Sequence, residues 1–243
     1  FKMNIAVITA KGGNTTLENK NLIKINNKSF IEYQAIAARE SKYVDKLYIS
    51  TEDSMIKNEA KLLKIPIIDR PNELSQSDTN HGDVIEHIVN FLSKKYKSID
   101  TITILLGNTV MVTGIDIDNC ISCVLSDTEI DSSMTVWKAQ DDHPLRAMKI
   151  NNQGFLESYL DVGTVDTNRQ SYENIYYYDQ GPWTFKMESF LKYKKLRKGP
   201  GPWWWMAKKC KPIVRYWVTG RDTHELMDVK ISEFWINQVK NQF

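Results

Sequence analysis

The feature that most narrows the fold is an alternation of short apolar runs and amphipathic stretches up to residue 106. Residues 4–9 are rich in β-branched side chains, the mark of a strand, and run into the turn signal Ala10-Lys11-Gly12-Gly13. Residues 30–41 carry apolar positions at helical spacing without Gly or Pro, residues 46–50 read as a strand, residues 54–63 as a helix and residues 65–68 as a short strand. Over residues 83–96 one stripe of Val84, Ile85, Ile88, Val89 and Leu92 predicts an amphipathic helix. Residues 101–106 are strongly apolar, as expected of a central strand covered on both faces. Strands alternating with helices predict an α/β layer fold: a mostly parallel sheet with helices on both faces.

Beyond this point the pattern loosens. Strands are expected at 133–137, 146–150, 176–178 and 213–218, helices at 115–125, 188–196 and 223–238, and a polar arm or loop at 159–174. No internal repeat and no linker separates two cores, so residues 1–243 are expected to form one domain, with about 138–180 as an arm. Lys and Arg number 32 against 30 Asp and Glu, a net charge of +2, which argues against a nucleic-acid-binding field over the whole surface. Any anion is then held by a local arrangement. No apolar run is long enough to span a membrane and no leader is read at the start, so a cytoplasmic protein is expected.

The turn after the first strand invites a phosphate reading. Backbone N–H groups at Gly12 and Gly13 can point at phosphate oxygens, and Lys11 and Lys20 can neutralise them. The same residues also suit a tight turn with solvated lysines, since neither the Walker A nor the dinucleotide spacing is met. Cys120 and Cys123 sit three apart on an expected helix with no second ligand pair following, so buried helix cysteines are expected rather than zinc. The consecutive Trp203, Trp204 and Trp205 suit a loop packed on the core or an aromatic platform. His81, His87 and His224 stand alone in sequence and are read as structural or surface residues.

Ala10-Lys11-Gly12-Gly13-Asn14-Thr15-Thr16-Leu17-Glu18-Asn19-Lys20-Asn21 resembles the nucleotide-binding loop of the acylneuraminate cytidylyltransferases, with its Ala-Arg-Gly-Gly-Ser-Lys and later Lys-Asn. Further along, Ile49-Ser50-Thr51-Glu52-Asp53, Arg70-Pro71, Glu73-Leu74-Ser75, Asp83-Val84-Ile85 and His143-Pro144 are similar to family segments in the same order. The resemblance implies a Rossmann-like nucleotidyltransferase with a small dimerisation arm, acting as a homodimer. The implied reaction transfers a cytidylyl group from CTP to an acidic, nonulosonate-like sugar or related anionic acceptor and releases pyrophosphate.

In that reading Lys11 and Lys20 are catalytic. Ala10, Lys11, Gly12, Gly13, Asn14, Lys20, Asn21, Ser50, Thr51, Arg70 and Asn108 surround the nucleotide, and Asp222 holds Mg²⁺. Lys11 in place of Arg keeps charge but loses the bidentate fork. Gly220 stands where the family's Asp-x-Asp-Thr has its first aspartate, and Asp222 alone could serve either as ligand or as cap of the last helix. Gly107-Asn108 replaces the family's Gln-Pro after the central strand, which points away from a standard sialic acid pocket. Rival readings are a Kdo-like, phosphorylated or phosphonate acceptor, a nucleotide-sugar glycosyltransferase, or a non-catalytic nucleotide-binding relative.

Overall fold

The computed structural model describes residues 3–13 and 17–239. In chain order its elements are β1 (Met3–Thr9), β2 (Lys24–Ile25), β3 (Lys28–Ser29), α1 (Phe30–Glu40), β4 (Lys46–Thr51), α2 (Ser54–Leu62), β5 (Ile67–Asp69), α3 (His81–Lys95), β6 (Ile99–Leu106), α4 (Gly114–Leu125), β7 (Ser132–Lys138), β8 (Met148–Ile150), β9 (Leu156–Ser158), β10 (Tyr176–Lys186), α5 (Met187–Tyr193), β11 (Cys210–Arg215) and α6 (Leu226–Phe234). These residues build a seven-stranded sheet in the order β11-β7-β10-β6-β1-β4-β5. Its pairings are parallel apart from those of β10, which runs antiparallel between β6 and β7. The expected mostly parallel, doubly covered sheet is what forms.

Alternation along β1 shows why the central strands are apolar on both faces in their middle. Ile5 and Val7 point into a core that includes Val84, Ile88 and Leu92 of α3 and Trp204 and Trp205. Ala6 and Ile8 point the other way, into a core with Ile31, Ala35 and Ala38 of α1 and Ile117 and Ile121 of α4. Helix starts are fixed locally. Ser29 accepts from the Glu32 N–H at 3.1 Å and Asp53 from the Ile56 N–H at 2.9 Å, while Thr113 and Asp116 form a capping box on α4.

The second half departs from expectation in three places. The strand expected at 176–178 continues to Lys186 through Gly181-Pro182, with a register shift against β7 between Tyr178 and Trp183. Gly and Pro here mark an irregularity within the strand and not its end. The helix expected from residue 223 starts at Leu226, because Asp228 accepts from the backbone N–H groups of His224 (2.9 Å) and Glu225 (3.0 Å) and so fixes the first turn. Asp222 is therefore not its cap. The strand expected at 213–218 is β11, followed by a 3-10 turn at Trp217–Gly220.

Trp183, Trp204, Trp205 and Trp235 are buried, so packing accounts for most of the tryptophan excess. Cys120 is buried, which pushes its thiol pKa up, and Cys123 is half-buried. No helix among the described residues is long and apolar enough to cross a membrane.

Candidate functional site

Parallel strands leave their carboxyl ends along one edge, where α/β sheets place ligands. Here the ends of β1 and β6 open onto a cleft of about 250 Å³, lined in part by Lys11, Lys20, Arg70, His81 and Asn108. Three cations drawn from different parts of the sequence thus face one small space. Each is held. Lys11 Nζ donates to the Gln76 carbonyl at 3.3 Å and Lys20 Nζ to the Thr223 carbonyl at 3.2 Å. Arg70 donates through Nε to Ser50 Oγ at 3.2 Å and through Nη2 to the Ser50 carbonyl at 2.7 Å.

Crowding leaves an electrostatic signature. Burial lowers the Lys20 pKa, Asp222 opposes that shift, and the neighbouring Lys11 adds to it. Burial lowers the Arg70 guanidinium to about 10, against the pull of Glu52. An anion in the cleft relieves both penalties, because it restores the interactions that water would have supplied.

The glycine turn is built for more than phosphate. A Cβ at Gly12 would lie 2.4 Å from Asp53 Oδ2, so the turn must be bare to pass the start of α2. The Gly12 N–H donates to Glu52 Oε1 at 2.8 Å, and Glu52 Oε2 accepts from Ser75 Oγ at 2.8 Å. A carboxylate therefore already sits on the N–H expected to meet a phosphate. Gly13 adopts φ +65°, a conformation that favours glycine.

Ala10 and Asn21 line the cleft, but Asn21 is buried and its Nδ2 donates to the Lys11 carbonyl at 2.8 Å, fixing the loop. Ser50 and Thr51 are fully buried and are not among the cleft's lining residues; Ser50 acts on the cleft through Arg70. Asn14, also expected at the nucleotide, lies outside the described residues.

Asp222 stands behind Asn108. Its Oδ2 accepts from Asn108 Nδ2 at 2.8 Å, and its Oδ1 lies 2.8 Å from His224 Nε2. The Thr223 N–H donates to the Asn108 carbonyl at 3.0 Å, so the two loops clasp each other. Among the described residues no group of three or more His, Cys, Asp and Glu side chains gathers as a metal cage. Asp222, next to the cleft residue Asn108, is a carboxylate that could hold Mg²⁺, an ion content with one or two protein carboxylates plus phosphate oxygens and water.

Three residues escaped the sequence reading. His224, taken as isolated, is Asp222's neighbour, a pairing at i, i+2 that the helical reading of 223–238 concealed. His81, also taken as isolated, lines the cleft and packs edge-on to Trp183 and Trp205, and burial pushes its pKa down to about 4. Glu52 stood in a quoted segment, but no local pattern reveals its reach across to Gly12.

Comparison with known proteins agrees with this geometry. The cytidylyltransferase family pattern matches residues 5–198. The fold is similar to that of a CMP:2-keto-3-deoxy-manno-octonic acid synthetase solved with CTP, at TM-score 0.70 and 12% identity over 98% of this chain and 99% of that one. It is also similar to a 4-diphosphocytidyl-2C-methyl-D-erythritol synthase from Anaerococcus prevotii, at TM-score 0.64 and 14% identity over 98% and 97% of the two chains. A second structure of a synthase of that name gives TM-score 0.67 and 13% identity over 98% and 99%. A match to the family over residues 5–198, with a cation-lined cleft at the strand ends, leads to one conclusion: the chain belongs to the cytidylyltransferase family and is a CTP-dependent nucleotidyltransferase.

Proposed function

We propose that this enzyme transfers the cytidylyl group of CTP to an acidic sugar or a related small anionic acceptor, giving a CMP-linked product and pyrophosphate. The observation that carries the reading is the convergence of Lys11, Lys20 and Arg70 on one cleft. An acceptor oxygen attacks the α-phosphorus, the bond to the bridging oxygen of the β-phosphate breaks, and pyrophosphate leaves with that electron pair. A hydroxyl acceptor gives up its proton. Lys11 and Lys20 offset the charge that grows on the leaving group. Asp222 would hold Mg²⁺, which supplies further charge neutralisation on the phosphates.

A second cavity of about 550 Å³ opens at the carboxyl ends of β7 and β11, on the same sheet edge, and is lined by Trp137, Asp141, Asp142, Arg169 and Tyr216 among others. Trp137 also packs against Gly220, two residues before Asp222, which sets this cavity beside the Asp222 loop. Its aromatic wall suits the apolar face of a ring, and Arg169, now paired with Asp141 at 3.1 Å, offers a cation to an acceptor's acidic group. Such a pocket fits the reading of an acceptor other than a standard sialic acid.

The β8–β9 hairpin leaves Met148, Ile150, Phe155 and Leu156 exposed, at 64–73% of their surface, which supports a homodimer formed through the arm.

The test combines binding and turnover. CTP should raise the melting temperature more than UTP, ATP or GTP. A panel of acidic sugars with CTP and Mg²⁺ should release pyrophosphate with at least one member. Lys20→Ala should weaken CTP binding by roughly tenfold or more, the worth of one charge-assisted contact. Unchanged affinity in Lys20→Ala would remove Lys20 from the phosphate site. CTP binding with no pyrophosphate from any acidic sugar would overturn the acceptor class.

A further inference from the structure

Behind the clasped loops lies a buried ion cluster that the chemistry above leaves unused. Arg215, at the end of β11, spends four of its five N–H donors there. Nε pairs with Asp116 Oδ1 at 3.1 Å, Nη1 donates to Asp179 Oδ1 at 3.0 Å and to the Gly181 carbonyl at 2.7 Å, and Nη2 donates to the Met111 carbonyl. Asp179 is fully buried, and its second oxygen, Oδ2, accepts from Thr219 Oγ1 at 2.9 Å.

The tethered segments are informative. Met111 lies in the stretch between β6 and α4 that carries Asn108. Thr219 belongs to the 3-10 turn that leads to Asp222. Arg215 and Asp179 thus hold, from behind, the same two segments whose tips meet where Asn108 Nδ2 donates to Asp222 Oδ2. A carboxylate in a loop can hold a cation only if the loop is fixed, since ordering it afterwards costs entropy at each binding event. The planar arginine fork suits this duty because one rigid group sets several directions at once.

We propose that Asp179 and Arg215 are positioning residues for the cytidylyl transfer: through Thr219 and Met111 they fix the Asp222 carboxylate against Asn108 in the geometry that receives the divalent cation. This inference rests on the reading of Asp222 as the metal ligand.

The experiment uses the purified full chain with CTP and an accepted acidic sugar, and measures initial rates against Mg²⁺ concentration. Asp179→Asn, Arg215→Lys, Thr219→Val and Asp222→Asn are compared. Changing a residue that orients a metal ligand commonly costs about 10–100-fold in metal affinity. Asp179→Asn and Arg215→Lys should therefore raise the Mg²⁺ concentration for half-maximal rate about tenfold or more. CTP affinity measured in EDTA should change less than about twofold, because Lys11, Lys20 and Arg70 are untouched. A merely structural role would lower the active fraction and the maximal rate without moving the Mg²⁺ midpoint, and that result overturns the proposal.

Thr219→Val removes a single hydroxyl and keeps the test open if the charged variants do not fold; it should move the midpoint in the same direction. If Asp222→Asn shifts the midpoint while the other three do not, the positioning inference alone fails. If Asp222→Asn leaves the midpoint unmoved, the metal reading of Asp222 fails and takes this inference with it.

Discussion

Substitution of Gly220 by alanine probes why the chain lacks a side chain two residues before Asp222. An ideal Cβ at this position would lie 2.2 Å from Trp137 Nε1 and 2.3 Å from Trp137 Cδ1. Ordinary contact between such atoms is ~3.5 Å or more, so the indole or the turn must move by about 1 Å. The Tyr177 ring, with centroids 4.8 Å apart, backs the indole on one side, so relief requires a shift toward the neighbouring cavity. Overpacking of this kind costs roughly 1–3 kcal/mol. For a chain of this size that is ~2–10 °C in melting temperature.

The decisive measurement is a double-mutant cycle by urea denaturation. Trp137→Ala removes both colliding atoms, so Gly220→Ala should cost about 1 kcal/mol less in that background than in the wild type. Equal costs in both backgrounds would refute the steric explanation. Gly220 and Trp137 are, on this reasoning, one feature: the indole occupies the space that a first acidic residue would need.

Two further outcomes follow from the geometry. His81 has a folded-state pKa lowered from 6.5 to about 4, so the folded protein binds fewer protons than the unfolded chain between those values. Its contribution to stability is complete above pH 6.5 and is lost as pH falls toward 4, by roughly 3 kcal/mol. His81→Gln should therefore flatten the stability profile over pH 4–6.5 in denaturant titrations, and a profile parallel to wild type would contradict the assignment. Phe155→Glu with Leu156→Lys on the β8–β9 hairpin should turn a dimer into a monomer in sedimentation velocity while the melting profile of the protomer stays cooperative; an unchanged sedimentation coefficient would remove the hairpin from the interface.

The first half of the fold was legible because its information is local. Val84 to Leu92 announce one helical face, Ser29 and Asp53 accept from the N–H groups three residues ahead, and residues 5–8 of β1 are all apolar because both faces are covered. The cleft was legible in part: Lys11 and Lys20, picked out beside the glycine turn, both line it, while Gly12 and Gly13 do not. What stayed hidden depends on partners far away in sequence. Glu52 reaches Gly12 across 40 residues, and Asn108 meets Asp222 across 114. Strand β10 was hidden for another reason: Gly181-Pro182 reads as a terminator, yet here it lies inside the strand. Burial decided the rest, since Ser50 and Thr51 look like pocket residues from their place at a strand end and are fully enclosed.

The hydrogen bond from Lys20 to the Thr223 carbonyl spans 203 positions, almost the length of the chain. Closing so long a loop is entropically slow, while β1, β4 and β5 pair over short separations. During synthesis the glycine turn can therefore acquire its strand scaffold well before the segment bearing Asp222 leaves the ribosome. On that order of events, Lys20 reaches its final environment only once the segment bearing Thr223 has docked against it.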